Sequence, residues 1–138
     1  MKPSKVHFAS LLVGVFLLTV AALGKTYTFQ ATSVVPGATG KIDAKAAKAG
    51  TNTTVMVTVK HLARPTLLTP PANEYVVWLE PQDGSPQNQG LLRVGDNEKG
   101  NLKMTTTASK FTLLVTAETE AHPKAPSKRV VLRSQVQE

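Results

Sequence analysis

A chain of 138 residues with 16 Lys and Arg against 9 Asp and Glu, a net charge of +7 and no cysteine has room for one domain with a real core and hardly for a second. Without cysteine there is no disulfide framework, thiol nucleophile, lipidation site or thiolate metal site, so stability has to come from burial and the β ladder. One tryptophan and two tyrosines offer little for stacking bases, which argues against nucleic acid as the target of the positive charge.

The N-terminus reads as an export signal. Lys2, Lys5 and His7 precede an apolar run from Phe8 to Leu23 that closes on Ala22-Leu23-Gly24, where small residues stand at the positions a signal peptidase reads. Ser10, Gly14 and Thr19 interrupt the run, and it falls short of the ~20 residues a membrane-crossing helix needs. The expectation is a cleaved signal over residues 1–24, leaving 25–138 as a single basic domain. The alternative is an uncleaved anchor, since Leu11, Leu12, Val15, Phe16, Leu17, Leu18 and Val20 are apolar enough to stay in a bilayer. Either way the domain faces the far side of the membrane, periplasmic or secreted. An exported, cysteine-free chain of this size points to a bacterial envelope, where Asn52-Thr53-Thr54 is an incidental glycosylation sequon.

From Lys25 onward, period-two alternation of β-branched and aromatic residues is broken every few residues by Gly, Pro, Asn or Asp, which predicts a sandwich or barrel. A strand over Lys25 to Thr32 would set Tyr27, Phe29 and Ala31 on one face. Gly40 to Ala47 predicts a second strand, although Ala and Lys between Asp43 and Lys48 also suit a helical turn. Ala49-Gly50-Thr51-Asn52 then turns into a strand with Val55, Val57 and Val59 inward. Tyr75-Val76-Val77-Trp78-Leu79 is apolar on both faces and belongs inside a sheet. Leu91 to Val94 and Leu102 to Thr107 predict strands joined as a hairpin by Gly95-Asp96-Asn97-Glu98-Lys99-Gly100. Phe111, Leu113, Val115 and Ala117 make another inward row, and Lys128 to Arg133 the last strand.

Three longer connections remain: Leu62 to Asn73, Pro81 to Gln89 and Thr119 to Ser127. Pro65, Pro70, Pro71, Pro123 and Pro126 stiffen the first and third, which predicts ordered crossovers between sheets. Such loops are where a sandwich keeps its function. If strands alternate up and down from Tyr75, the first and third loops share one pole and the second takes the other. His61 and His122 would then meet at one end, near Glu118 and Glu120.

Two imidazoles and a carboxylate are zinc or copper ligands in principle, but no tight ligand spacing accompanies them and no metal site is assigned. No Gly-x-Ser-x-Gly elbow supplies a nucleophile, and Glu118 and Glu120, two apart on a strand, read as exposed residues at its end. No catalytic residue or cofactor site is assigned, and an enzyme is not expected. Lys41, Lys45, Lys48 and Lys60 line one hairpin, and Lys124, Lys128, Arg129 and Arg133 gather toward the C-terminus. Such patches attract anionic lipid headgroups or cell-wall polymers; the competing explanation is that they keep sheet edges apart.

Tyr75-Val76-Val77-Trp78-Leu79-Glu80, then Gly90 after a polar loop, then Phe111-Thr112-Leu113-Leu114-Val115-Thr116-Ala117-Glu118, then Pro123, Pro126 and Val130-Val131-Leu132 resemble the extracytoplasmic domain of the anti-sigma-K factors. The resemblance implies a small β-sandwich outside the membrane, which in that family is joined through one transmembrane helix to a cytoplasmic segment that holds a sigma factor. Only a few residues precede the apolar run here, and Thr119-Glu120-Ala121-His122 stands where the family has a glycine-rich stretch, so a free-standing copy of the domain is expected. Trp78, the family's characteristic aromatic, is expected to pack in the core.

These readings converge on an all-β fold: a small antiparallel β-sandwich, immunoglobulin-like, of about seven to eight strands behind an N-terminal signal helix. The expected partner is an unidentified protein or an anionic envelope component, with no nucleic acid, and with the membrane only through an uncleaved anchor.

Overall fold

The computed structural model describes residues 24–47 and 52–137. The expected signal segment up to Leu23, Lys48 and most of the turn at Ala49-Gly50-Thr51-Asn52 lie outside the described residues. Nine strands run through those described: β1 (Lys25–Thr28), β2 (Gln30–Ala31), β3 (Thr39–Ala46), β4 (Thr53–Lys60), β5 (Glu74–Pro81), β6 (Gln87–Leu91), β7 (Gly100–Thr106), β8 (Lys110–Glu118) and β9 (Val130–Gln137). They form two antiparallel sheets, β1-β3-β4-β7 and β2-β9-β8-β5-β6, which make the expected small β-sandwich.

The core lies between the sheets and follows strict alternation. Ile42 and Ala44 of β3, Val55, Val57 and Val59 of β4, Tyr75, Val77 and Leu79 of β5, and Phe111, Leu113, Val115 and Ala117 of β8 all point into one cluster. β5 and β8 are interior strands and bury their second face as well: Val76, Trp78 and Leu114 form a smaller cluster on the outside of the second sheet, with Leu91 and Val130 against it. The two segments read as most apolar are thus paired side by side, Tyr75 against Ala117 through Leu79 against Leu113.

Several boundaries differ from the sequence reading. The expected first strand is two strands in different sheets: β1 pairs with β3 and β2 with β9. The chain changes sheet at Phe29, whose ring is buried and whose N–H donates to the Gly40 carbonyl at 2.9 Å. Ala31, expected inward, is exposed on the edge of the second sheet. Residues 43–46 extend β3 as strand and not helix, because Ala44 is needed in the core.

The expected Pro81 to Gln89 loop is shorter, because Pro81 ends β5 and Gln87–Leu91 pairs with β5 as an edge strand. Gly90 sits there at φ +124°, a conformation only glycine adopts readily, and the Asn88 side chain accepts its N–H at 2.8 Å. Leu92 to Val94, expected as strand, is irregular although Leu92 is buried. The Gly95 to Gly100 turn is not a hairpin, since it joins β6 and β7, which belong to opposite sheets. Thr119 to Ser127 is not a crossover, since it connects β8 and β9, neighbours in one sheet. The last strand begins at Val130 and runs on to Gln137, burying Ser134 and Val136.

Gly100 marks a close approach. A Cβ placed on it would stand 2.5 Å from the Arg93 carbonyl oxygen, a backbone atom that cannot swing away, whereas a Cβ on Gly37 meets nothing within 4 Å. Gly100→Ala is therefore expected to cost about 1–3 kcal/mol by overpacking, and Gly37→Ala to stay within about 0.5 kcal/mol of the parent. Urea denaturation of the two variants checks this, and equal stabilities would refute the close approach.

Candidate functional site

Pairing of β5 with β8 puts Glu74 opposite Glu118 and Pro81 opposite Phe111. The 62–73 and 119–127 connections therefore meet at one pole and the 82–86 turn lies at the other, as strand parity predicts. The two loops are fastened to each other. Asn73 donates its N–H to the Glu118 carbonyl and its Nδ2 to the Thr119 carbonyl, both at 2.9 Å.

Each loop is also braced internally. In the first, His61 takes a left-handed turn at φ 56° and Leu62 is fully buried, with its N–H on the Glu98 carbonyl at 3.1 Å. A 3-10 turn over Pro65–Leu67 follows, the Pro65 carbonyl accepts from both Leu68 and Ala72, and the Thr69–Pro70 peptide is cis. Leu68 and Ala72 are buried beneath it. Arg64 Nη1 meets Asp96 Oδ1 at 3.1 Å, which ties the 95–100 turn to the same pole. In the second loop, Glu118 Oε1 accepts the Ser127 N–H at 2.8 Å, Ser127 Oγ donates to the Ala117 carbonyl, and the Arg129 N–H donates back to Ser127 Oγ.

Glu118 corrects the sequence reading. Its residue is 6% exposed because its carboxylate is used to hold the 119–129 loop, while Glu120 lies past the strand end and is exposed; the two do not form a solvent-facing pair. His61 and His122 are both exposed on this pole's loops. Among the described residues no three His, Asp or Glu side chains are grouped so as to hold a metal ion. Trp78 is 1% exposed and donates its Nε1–H to Thr116 Oγ1 at 2.8 Å, so it packs and does not face a ligand.

What this pole displays is a mixed-charge surface with one large apolar side chain. Leu67, at the apex of the 3-10 turn, is 64% exposed, and it is the only large hydrophobic residue so exposed among the described residues. Nothing in the sequence set it apart from Leu68 beside it, which is buried.

The basic residues separate into different places. Lys124, Lys128 and Arg129 belong to the loop pole, whereas Arg133 projects from the outer face of β9, toward a cleft of about 370 Å³ at the opposite pole that Glu80, Lys110, Thr112 and Gln135 also line. Lys41, Lys45 and Lys60 do share one surface, the outer face of the first sheet. Lys103 of β7 joins them there, by a register that composition does not disclose. Among the described residues no helix is long and apolar enough to cross a membrane.

Comparison with known proteins finds no family model that matches the chain, and no curated protein matches it.

Tyr75 anchors the first loop from below. Its hydroxyl donates to the Ala63 carbonyl at 2.6 Å, and burial pushes its pKa from 10.0 up to about 12 although the Arg129 guanidinium pulls the other way. The unfolded chain releases this proton near pH 10 and the folded chain holds it, so the contribution to stability is complete below pH 10 and is lost as pH rises through about 12. Tyr75→Phe is expected to cost about 0.5–1.5 kcal/mol at neutral pH for the lost hydrogen bond and to flatten the fall in stability over that alkaline interval. Denaturant titrations of both proteins across it are the check. An unchanged pH profile would assign the fall to other groups.

Proposed function

We propose that this chain is an exported, non-catalytic β-sandwich of the bacterial envelope that serves as a protein-binding or sensory module, similar to the extracytoplasmic domains of the anti-sigma-K factors. The binding surface is the pole built from residues 61–73 and 119–129. Export rests on the basic N-terminus, the apolar run over residues 8–23 and the small residues at its end.

One observation carries the reading: Leu67 is held out to solvent on a loop that is braced from three sides. A loop already ordered in the free protein loses little conformational entropy on binding, so its apolar contact is realised as affinity. Isolated exposed leucines are common on surfaces; this one crowns a turn whose neighbours Leu62, Leu68 and Ala72 are all buried beneath it.

A photo-reactive amino acid at position 67 is expected to yield a discrete adduct with an envelope protein in living cells, and the same group at Asp83, exposed on the turn at the opposite pole, is expected not to. No adduct from position 67, or the same adduct from both positions, would overturn the assignment. Mass spectrometry of the recovered protein is expected to find Lys25 at its N-terminus. An intact Met1 would replace the cleaved signal with an anchor and leave the binding pole in question unchanged.

A second reading, a surface-associated envelope protein held by its basic face, draws on the lysines of the first sheet.

A further inference from the structure

The outer face of the first sheet carries a regular grid that the core does not use. One cross-strand row is Thr28, Lys41, Thr58 and Asn101; the next is Thr26, Asp43, Met56 and Lys103; a third holds Lys45, Thr54 and Thr105; and Lys60 stands beside Thr39 at the end. None of these side chains belongs to either buried cluster, and all four lysines are exposed. With strands about 4.8 Å apart and same-face residues about 6.7 Å apart, neighbouring lysines lie roughly 8–14 Å from one another, about one to two screening lengths at physiological salt. A long polyanion would meet them as a series of separate contacts.

The face holds one acid against four lysines, and that acid is engaged. Thr26 Oγ1 donates to Asp43 Oδ1 at 2.7 Å and Lys41 Nζ lies 3.6 Å from Asp43 Oδ2. Among the described residues Lys45, Lys60 and Lys103 have no ion pair. Protection of sheet edges accounts for Lys103, which stands on the edge strand β7, and not for the other lysines of the face. That role requires charge on an edge strand, and Lys41, Lys45 and Lys60 stand on β3 and β4, the two interior strands of the sheet.

We propose that this face binds an anionic, hydroxyl-rich polymer of the polysaccharide class. Charge complementarity selects an anion, and the spread of the lysines over four rows selects one long enough to span them. Threonine hydroxyls between the cations match a ligand that carries hydroxyls between its charges. A lipid surface fits less well, because peripheral attachment combines charge with inserted apolar side chains and the only apolar side chain in the grid is Met56, itself half-buried. Single-stranded nucleic acid would want aromatic platforms, and the grid contains none. This surface meets the loop pole only at Lys60, where β4 ends, and its probes are polymers while those of the protein-binding reading are proteins, so the two failures are distinguishable.

The test is binding of the purified protein to polygalacturonate, to phosphatidylglycerol-containing vesicles and to uncharged dextran. Polygalacturonate is expected to bind and dextran not, with affinity falling as salt shortens the screening length. Changing Lys45→Gln, Lys60→Gln and Lys103→Gln together is expected to weaken binding by between about threefold and a hundredfold, the sum of three exposed contacts. Arg93→Gln, Lys110→Gln and Arg133→Gln together remove the same charge from exposed positions elsewhere and are expected to change it about twofold or less. Equal losses from the two triple variants would reduce the effect to net charge and overturn the proposal. So would vesicle binding without polygalacturonate binding, or no binding to any anion.

Discussion

The register between β5 and β8 is the constraint from which most of the molecule follows. With Tyr75 opposite Ala117 and Leu79 opposite Leu113, both strands turn one apolar row into the sandwich and leave a second row, Val76, Trp78 and Leu114, on the outside. A slip of β5 by one residue would exchange its two rows and expel Tyr75, Val77 and Leu79 from the core. The same register sets Asn73 against Glu118 and Thr119, so the pairing that makes the core also brings the two long loops together. Packing and presentation of the candidate site are consequences of one alignment.

A chain without cysteine has to hold such loops by other means, and here it does so by satisfying polar groups. Among the described residues no buried side-chain nitrogen or oxygen lacks a hydrogen-bond partner. Glu118 gives its carboxylate to the Ser127 N–H, Trp78 its indole N–H to Thr116, and Tyr75 its hydroxyl to Ala63. The first and third fasten the two long connections to the sheet, and the second joins β5 to β8 on the outer face. Buried groups of this kind contribute little net when paired and cost about 1–3 kcal/mol when orphaned, so their effect is to penalise alternative loop positions. That is what turns proline-rich connections into a defined surface.

What alternation encodes was legible, and what depends on partner choice was not. Val55, Val57 and Val59, the Tyr75 to Leu79 run and the Phe111 to Ala117 row declare their inward faces by composition. Lys25 to Thr32 alternates as one strand, yet Phe29 fills the core at the point where the chain passes between sheets, and alternation carries no label for which sheet a residue joins. Gln87-Asn88-Gln89 has no strand-forming side chains; it pairs because it is the return limb of a short turn on the open side of β5. Glu118 looked exposed because its charge is visible in the sequence and its acceptor role toward Ser127, nine residues on, is not. Lys103 escaped grouping with Lys41, Lys45 and Lys60 for a similar reason: it reaches them only through the β4–β7 register.

Placement of those lysines separates a cost of folding from a reason to carry it. Lysine is a poor strand former, and on interior strands β3 and β4 it neither guards an edge nor supports the core. Threonine, used at most other positions of the grid, is better suited to the same backbone. The loop pole presents the opposite case. Its charges are mixed, Arg64 is paired with Asp96, and its apolar residue is raised on a braced turn. Strand ends and sheet face point in different directions, so a domain lying with its first sheet against an anionic polymer keeps the 61–73 and 119–129 loops free. On the two proposals together, one molecule engages a polymer through the sheet face and a protein through the loops, because the two surfaces face different ways.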